Sequence, residues 1–367
     1  MNVFIAKRLS RVLIRIALGL LAGLIAIGGI WGLAEISIRA YFAIRDARNP
    51  YIKKELRKHA ALQEAYDLSL WEIPGVKYKK NASLKIDLEG EELWVKINSK
   101  GFRTREFRDE KPADLYRIIC VGGSTTVIGR TNEETYPALL EKKLKARFPE
   151  KEIEVLNFGV SKYGTSEVIN LCYDSMKYRP DLFLKYNGMN DLWWDYFIML
   201  SDRLPAGKKL LSRSYIFQWF FWKCFLPPAD VIREDFENGL YPPLKELIFW
   251  LRKSGSDMIM ITFFSPDLDK LTGQQKYYLD FSIRTFWGRQ LGTLPFIRIE
   301  PYLETLKIYN QTIRDFCEKN NIACVDLNRQ FPHNFNLYID PCHFSQEGIE
   351  KASEIICREL LEKKIIK

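Results

Sequence analysis

From Tyr116 to the C-terminus, short runs of branched apolar residues alternate with stretches of helical period, and this alternation constrains the fold more than any other feature of the chain. "YRIICVGG", "IEVLNFGV", "DLFLKYNG", "DMIMITFFSP" and "IACVDL" read as strands. Between and after them "YPALLEKKLKARF", "SEVINLCYDSMKYR", "PPLKELIFWLRKSG" and "YLETLKIYNQTIRDFCEKN" read as helices, with a last helix from about Ser345 to the C-terminus. Strands that are apolar on both faces, separated by amphipathic helices, imply a mainly parallel sheet in a three-layer α/β/α arrangement. In such sheets the ligand lies beyond the carboxyl ends of the strands. A chain of 367 residues can bury one core of this kind and carry an extension besides.

The extension precedes the alternating region. No charged side chain occurs from Ile16 to Ala34, "IALGLLAGLIAIGGIWGLA", a run that reaches roughly 28 Å as a helix and nearly crosses a hydrocarbon core. It is read as an uncleaved, single-pass anchor. A cleaved signal peptide is the rival reading, with Gly32 and Ala34 as the small residues of a cleavage site. Lys7, Arg8, Arg11 and Arg15 make residues 1–15 a basic tail and favour a cytoplasmic N-terminus, which puts the rest of the chain on the extracytoplasmic side. Arg39, Arg45, Arg48, Lys53 and Lys54 pull the charge bias the other way, and seven cysteines suit a reducing compartment better. Residues 35–113 read as a polar helical stalk, interrupted at Pro50, followed by a small hairpin around "EGEE". Residues 114–367 form the main domain, with an aromatic-rich insertion at about 192–240 containing "LWWDYFIML" and "SYIFQWFFWKCFLPP". That insertion reads as core, or else as an acyl-binding lid or an element in a bilayer interface.

Three glycine-bearing polar turns fall just past strand ends: Gly123 and Ser124, Gly159 to Gly164, and Gly188 to Asp191. To these the chain adds "DPCHF", in which Asp340 precedes His343 by three residues. On a turn, that spacing lets the carboxylate accept from Nδ1–H while Nε2 takes a proton from a serine such as Ser124. Asn190 offers a neutral donor for a developing oxyanion. Each piece has an ordinary structural reading beside the chemical one. Serine after Gly-Gly caps helices, His343 sits where it could cap the last helix, and "GMND" is good turn sequence.

The order of the four blocks resembles the SGNH (GDSL-type) hydrolase family, across about Arg117 to Gly348, and "INSKGFRTREF" ahead of the first block resembles the lead-in of its membrane-anchored bacterial members. The resemblance implies an SGNH-hydrolase-like, flavodoxin-like fold. It implies Ser124 as nucleophile, His343 and Asp340 as base and partner, and an oxyanion hole from the Ser124 N–H, Gly164 and Asn190. Gly159 is the other candidate in the second block. The implied reaction is hydrolysis of an acyl ester, on a carbohydrate or a lipid, through an acyl-serine. An O-acyltransferase with the same site, or a non-catalytic envelope-assembly protein, are the alternatives. The usual G-D-S-L reads "GGST" here, with Gly123 in place of the acid.

Other classes fit less well. Neither G-x-x-x-x-G-K-[ST] nor G-x-G-x-x-G occurs, so a phosphate cradle is not expected. Asp191 and Asp195 do not form the flanking carboxylate pair of a glycosidase. The cysteines form no C-x-x-C pair, and His59, His333 and His343 have no ligand spacing, so neither metal nor cofactor is expected. The net charge of +9 is scattered rather than gathered on one face, which points to a solvated surface with some attraction to anionic lipid and away from nucleic acid.

Overall fold

The computed structural model describes residues 2–58, 68–73, 77–88, 91–287 and 296–366. Its centre is a five-stranded, all-parallel sheet in the order β6-β5-β7-β8-β9. The strands are β5 (Leu115–Gly122), β6 (Glu152–Asn157), β7 (Leu182–Tyr186), β8 (Asp257–Ile261) and β9 (Cys324–Val325). The register pairs Cys120 with Asn157 on one side and with Leu184 on the other. Ile118, Ile119, Phe183 and Leu184 are fully buried, as expected of strands covered on both faces. The chain leaves β5 for β6 on one side and returns to β7 on the other, so a crevice opens between the carboxyl ends of β5 and β7.

Helices cover both faces. The short α3 (Ser124–Val127) follows β5, and α4 (Tyr136–Arg147) packs on β6 and on the C-terminal α13 (Gln346–Glu362). On the other face lie α5 (Thr165–Ser175), α9 (Ala229–Lys253) and α11 (Glu300–Lys319), packed on one another. Pro242 and Pro243 lie inside α9, which begins well before the apolar stretch that announces it in the sequence. The insertion forms a π-helical turn (Asp191–Tyr196) and three short helices, α6 (Phe197–Arg203), α7 (Ala206–Leu211) and α8 (Tyr215–Phe221). After β8 come α10 (Gly273–Ser282) and, beyond β9, α12 (Leu327–Gln330).

The N-terminal region departs from the expected stalk. Helix α1 is continuous from Asn2 to Arg48, and α2 (Pro50–Lys58) starts on the proline that interrupts it, a first-turn position where proline costs no hydrogen bond. Both helices dock on the main domain, because Phe42 and Ile52 belong to its core. Asp46 accepts from Arg284 Nη2 at 2.9 Å. The expected hairpin is present as antiparallel β3 (Ser83–Leu88) and β4 (Glu91–Lys96), although part of its "EGEE" turn, like His59, lies outside the described residues. A further short pair, β1 (Trp71–Ile73) and β2 (Lys77–Tyr78), completes this layer.

The lead-in between hairpin and sheet supports the first rim turn. Phe102 stacks on Phe158 with ring centroids 3.7 Å apart. Arg103, buried, donates from Nη1 to the Val127 carbonyl at 2.9 Å and from Nη2 to that of Gly129 at 2.7 Å. Val127 is the last residue of the helix that begins with Ser124 and Gly129 lies just past its C-cap, so the guanidinium holds the chain where it leaves that helix.

Candidate active site

Ser124 opens α3 at the end of β5, but its hydroxyl does not cap that helix. The N-cap is Gly123, with no side-chain cap bond, and Ser124 is half-buried at the crevice. Its Oγ lies 2.8 Å from His343 Nε2, and His343 Nδ1 lies 2.7 Å from Asp340 Oδ2. With the proton on Nδ1, the imidazole donates to Asp340 and presents Nε2 as acceptor to the serine hydroxyl. Residues 124 and 340–343, more than two hundred positions apart, thus meet over the carboxyl end of the sheet.

The loop carrying Asp340 and His343 is held from several sides. An isolated bridge joins Tyr338 and Phe344, the Ile339 N–H donates to the His343 carbonyl at 2.9 Å, and Tyr278 Oη donates to the Ile339 carbonyl at 2.9 Å. Asp340 Oδ1 accepts the N–H groups of Cys342 and His343 at 2.8 and 2.9 Å. Burial alone would raise the Asp340 carboxyl. The His343 charge, its ring N–H and the two main-chain donors outweigh it and hold the acid below the usual carboxylate range. The last helix is capped by Ser345, whose Oγ accepts from the Gly348 N–H at 3.2 Å, so His343 is not spent on capping.

Cys342 Sγ lies 3.3 Å from His343 Nδ1, and burial, then Asp340, push its thiol well above the ordinary range. It therefore stays neutral beside the imidazole. Asp340, Cys342 and His343 form the one grouping of metal-ligating atoms among the described residues. Both ring nitrogens of His343 already face Asp340 and Ser124.

The third rim turn brings Asn190 beside the serine. Asn190 Nδ2 donates to the Tyr163 carbonyl at 2.9 Å, which uses one of its two protons. A Cβ on Gly123 would lie 2.6 Å from that nitrogen, so Asn190 packs directly on the residue before Ser124. The glycine that replaces the familiar acid in "GGST" thus makes room for the amide. In the second turn Gly164 is the N-cap of α5, and its N–H donates to Glu167 Oε2 at 2.9 Å. With that donor turned to Glu167, the Ser124 N–H at the start of α3 and the Asn190 amide are the other donor candidates of the rim. Gly164 matters instead for its missing side chain, since a Cβ there would sit 2.9 Å from Asp195 Oδ2 and 3.0 Å from Asp191 Oδ1.

Sequence reasoning missed how the turns are fastened together. Asp191 is buried and accepts from the Thr165 hydroxyl at 2.8 Å, from Asn187 Nδ2 at 3.0 Å and from Tyr309 Oη. It therefore joins α5, β7 and α11 and takes no position facing the crevice as a second carboxylate. Lys185, fully buried in β7, donates to Asn187 Oδ1. Burial pushes its ammonium down, and Asp191 partly restores it. A lysine in the middle of "DLFLKYNG" was the available signal for this network.

A search of curated proteins finds no match to the chain. Among solved structures, it is similar to LAE5, an α/β hydrolase from the metagenome of Lake Arreo, Spain, with 17% identity over 67% of this chain and 94% of that one and a TM-score of 0.41. A lipase/acylhydrolase from Enterococcus faecalis gives 16%, 68%, 96% and 0.41. A variant of Axe2, an acetyl xylan esterase from Geobacillus stearothermophilus, gives 17%, 68%, 94% and 0.40. The model of the GDSL-like lipase/acylhydrolase family matches residues 120–351, which include all four rim blocks. With a parallel sheet of the expected kind beneath that match, the chain belongs to the GDSL-like lipase/acylhydrolase family and is an enzyme acting on ester bonds.

Proposed function

We propose that this enzyme is a serine esterase that cleaves an O-acyl ester of an envelope glycan or lipid through an acyl-serine. The observation that carries the reading is the continuous relay from Ser124 Oγ to His343 Nε2 at 2.8 Å and from Nδ1 to Asp340 at 2.7 Å. As Ser124 Oγ attacks the ester carbonyl carbon, its proton passes to Nε2, and the carbonyl electron pair moves onto oxygen. The Ser124 N–H and the second proton of Asn190 Nδ2 support that oxyanion. Collapse expels the alcohol, which takes the proton back from His343. Water then attacks the acyl-serine, again giving its proton to His343, and Ser124 leaves protonated as the acid is released. Asp340, kept ionised, stabilises the imidazolium in both halves.

Labelling of the detergent-solubilised chain by a fluorophosphonate tests this reading. Wild type is expected to react covalently, and Ser124→Ala and His343→Ala to lose the signal while unfolding at the wild-type temperature. A folded wild type that does not react, or a Ser124→Ala variant that still does, overturns it.

The same proposal places the enzyme on a membrane. The apolar window of α1 is wholly unburied, with Leu18, Leu20, Leu24, Ile25, Ile27, Ile30 and Leu33 exposed along it. Such a helix is stable in hydrocarbon and costly in water. Residues 16–34 are assigned as the anchor, residues 1–15 as the cytoplasmic tail and the catalytic domain as extracytoplasmic. This follows the basic cluster Lys7 to Arg15. An intact mass retaining residue 1 in the membrane fraction is the expected result, and a mature chain beginning near residue 35 would replace the anchor with a cleaved leader.

A further inference from the structure

We propose that α7 and α8 form a second membrane contact, in which Leu210, Leu211, Phe220 and Phe221 enter the headgroup region of the leaflet from which α1 emerges. The inference rests on the anchor reading above and adds to it a defined face of the catalytic domain.

Helix α8 has two sides with different partners. On the inner side Gln218, fully buried, donates to the Ser212 carbonyl and accepts the Ile297 N–H at 3.0 Å, which ties α8 to the catalytic domain. On the outer side Phe220 and Phe221 are 67% and 50% exposed, and on α7 Leu210 is 70% exposed. Large aromatic side chains left in water this way are costly, and the usual remedy is an apolar partner.

What supplies that partner is fixed by where α1 runs. Trp31, near the end of the apolar stretch, lies 5.2 Å from Phe217, and Phe217 lies 5.5 Å from Phe221. The exposed aromatics therefore continue directly from the point where the anchor leaves the hydrocarbon, at the depth where Trp and Phe settle in interfaces. One turn further on, Glu35 accepts the N–H groups of Tyr215 and Ile216 at 2.8 and 3.3 Å, so the anchor itself caps α8. Phe42 then packs 5.1 Å from Trp219. Beyond that, Arg284, 3% exposed, holds Asp46 at 2.9 Å. With three such fastenings along one continuous helix, α1 cannot swivel on the domain, and the bilayer must meet the same face each time.

The charge of the segment agrees. From Leu204 to Ala229 the chain carries Lys208, Lys209, Arg213 and Lys223 and no acidic residue. A basic rim around apolar side chains is the composition of an interfacial element on anionic lipid.

The test uses the full chain in vesicles of phosphatidylethanolamine and phosphatidylglycerol at three to one, containing a doxyl-labelled lipid as short-range quencher. An environment-sensitive fluorophore is placed by Phe220→Cys, Ile27→Cys or Phe249→Cys, each in a Cys224→Ser background. Phe249 is a surface residue on α9, roughly 30 Å along that helix from its start, and serves as the distal site. The labels at 220 and 27 are expected to lose most of their fluorescence and the label at 249 to keep it. A label at 220 that stays as bright as the one at 249, while 27 is quenched, overturns the second contact and leaves the anchor intact. If 27 also stays bright, the anchor reading falls and takes this inference with it. Quenching at all three sites shows a domain lying on lipid without a preferred face, and equally overturns it. Phe220 is a surface residue, so its substitution leaves the fold undisturbed.

Discussion

Two polar clusters sit side by side at the carboxyl end of the sheet, and they differ in what their hydrogen bonds leave over. In the first, Ser124, His343 and Asp340 form an open chain whose serine end is half-exposed. In the second, Lys185, Asn187, Thr165, Asp191 and Tyr309 are all buried, and Asp191 accepts from Thr165, Asn187 and Tyr309 at once. Both bury charge beside apolar strands. The closed cluster stores its charge in fixed bonds and fastens three elements together. The open one keeps a half-exposed hydroxyl facing a base. Burial of polar groups is common to both clusters, and the proposed chemistry rests on the one whose chain is left open.

The comparison predicts two opposite kinds of damage. In the proposed mechanism Asn190→Ala removes an oxyanion donor from the open side, so kcat on a soluble ester should fall on the order of 10²- to 10³-fold with KM and the unfolding temperature little changed. A loss of stability with normal kcat in the folded fraction would instead place Asn190 in the closed cluster, through its bond to the Tyr163 carbonyl. Asp191→Ala should do the reverse. It takes the Asp191 acceptor from the Thr165 N–H and hydroxyl, and it leaves the Tyr309 hydroxyl with the longer bond to the Asn187 carbonyl at 3.3 Å and the Asn187 amide with the Thr165 hydroxyl at 3.1 Å. The expected cost is about 2 to 3 kcal/mol of stability. It would be read as a lower thermal midpoint, with fluorophosphonate labelling of the folded protein retained. Labelling lost at full stability would erase the distinction between the clusters.

How much of this was legible in the sequence depended on whether a residue's neighbours were local. The strands were readable because Ile118 to Val121 and Leu182 to Leu184 are apolar on both faces, and "DPCHF" because its carboxylate and imidazole are three residues apart. The pairing of Ser124 with His343 needed a family resemblance, since nothing local to either residue specifies the other. The bond from the Gly164 N–H to Glu167 spans three residues at the start of α5, a spacing the sequence carries locally. Arg103 lies in the lead-in "INSKGFRTREF", and nothing local to it specifies that its buried guanidinium donates to the Val127 and Gly129 carbonyls more than twenty residues away. The docking of the stalk was out of reach for a related reason. Phe42 stands among Ile38, Tyr41 and Ile44, and Ile52 beside Tyr51, and only the docked helices show which of these apolar residues face the domain. The aromatic insertion divided itself: Leu192, Trp193, Tyr196 and Phe197 entered the core, while Phe220 and Phe221 stayed outside.

The smallest expected effect lies between the two clusters. Asp195 follows Asp191 by one helical turn, and its carboxylate borders Gly164. Partial desolvation pushes its carboxyl up to about 7, and the charges of Asp191 and Glu167 add to the rise. An acid whose folded value lies above its unfolded value of about 3.9 contributes stability that is complete below that unfolded value and is lost as pH rises through about 7. Asp195→Asn removes the charge that causes the loss. The variant should therefore match wild type near pH 4 and become the more stable of the two above pH 7. Because solvent reaches this side chain, screening limits the gain to about 1 kcal/mol, or about 2 to 4 °C in a domain of this size. Thermal melts of the two proteins from pH 5 to 8 measure it. A difference that does not grow with pH would mean that Asp195 stays ionised throughout, as part of a solvated acidic corner, and that the closed cluster ends at Asp191.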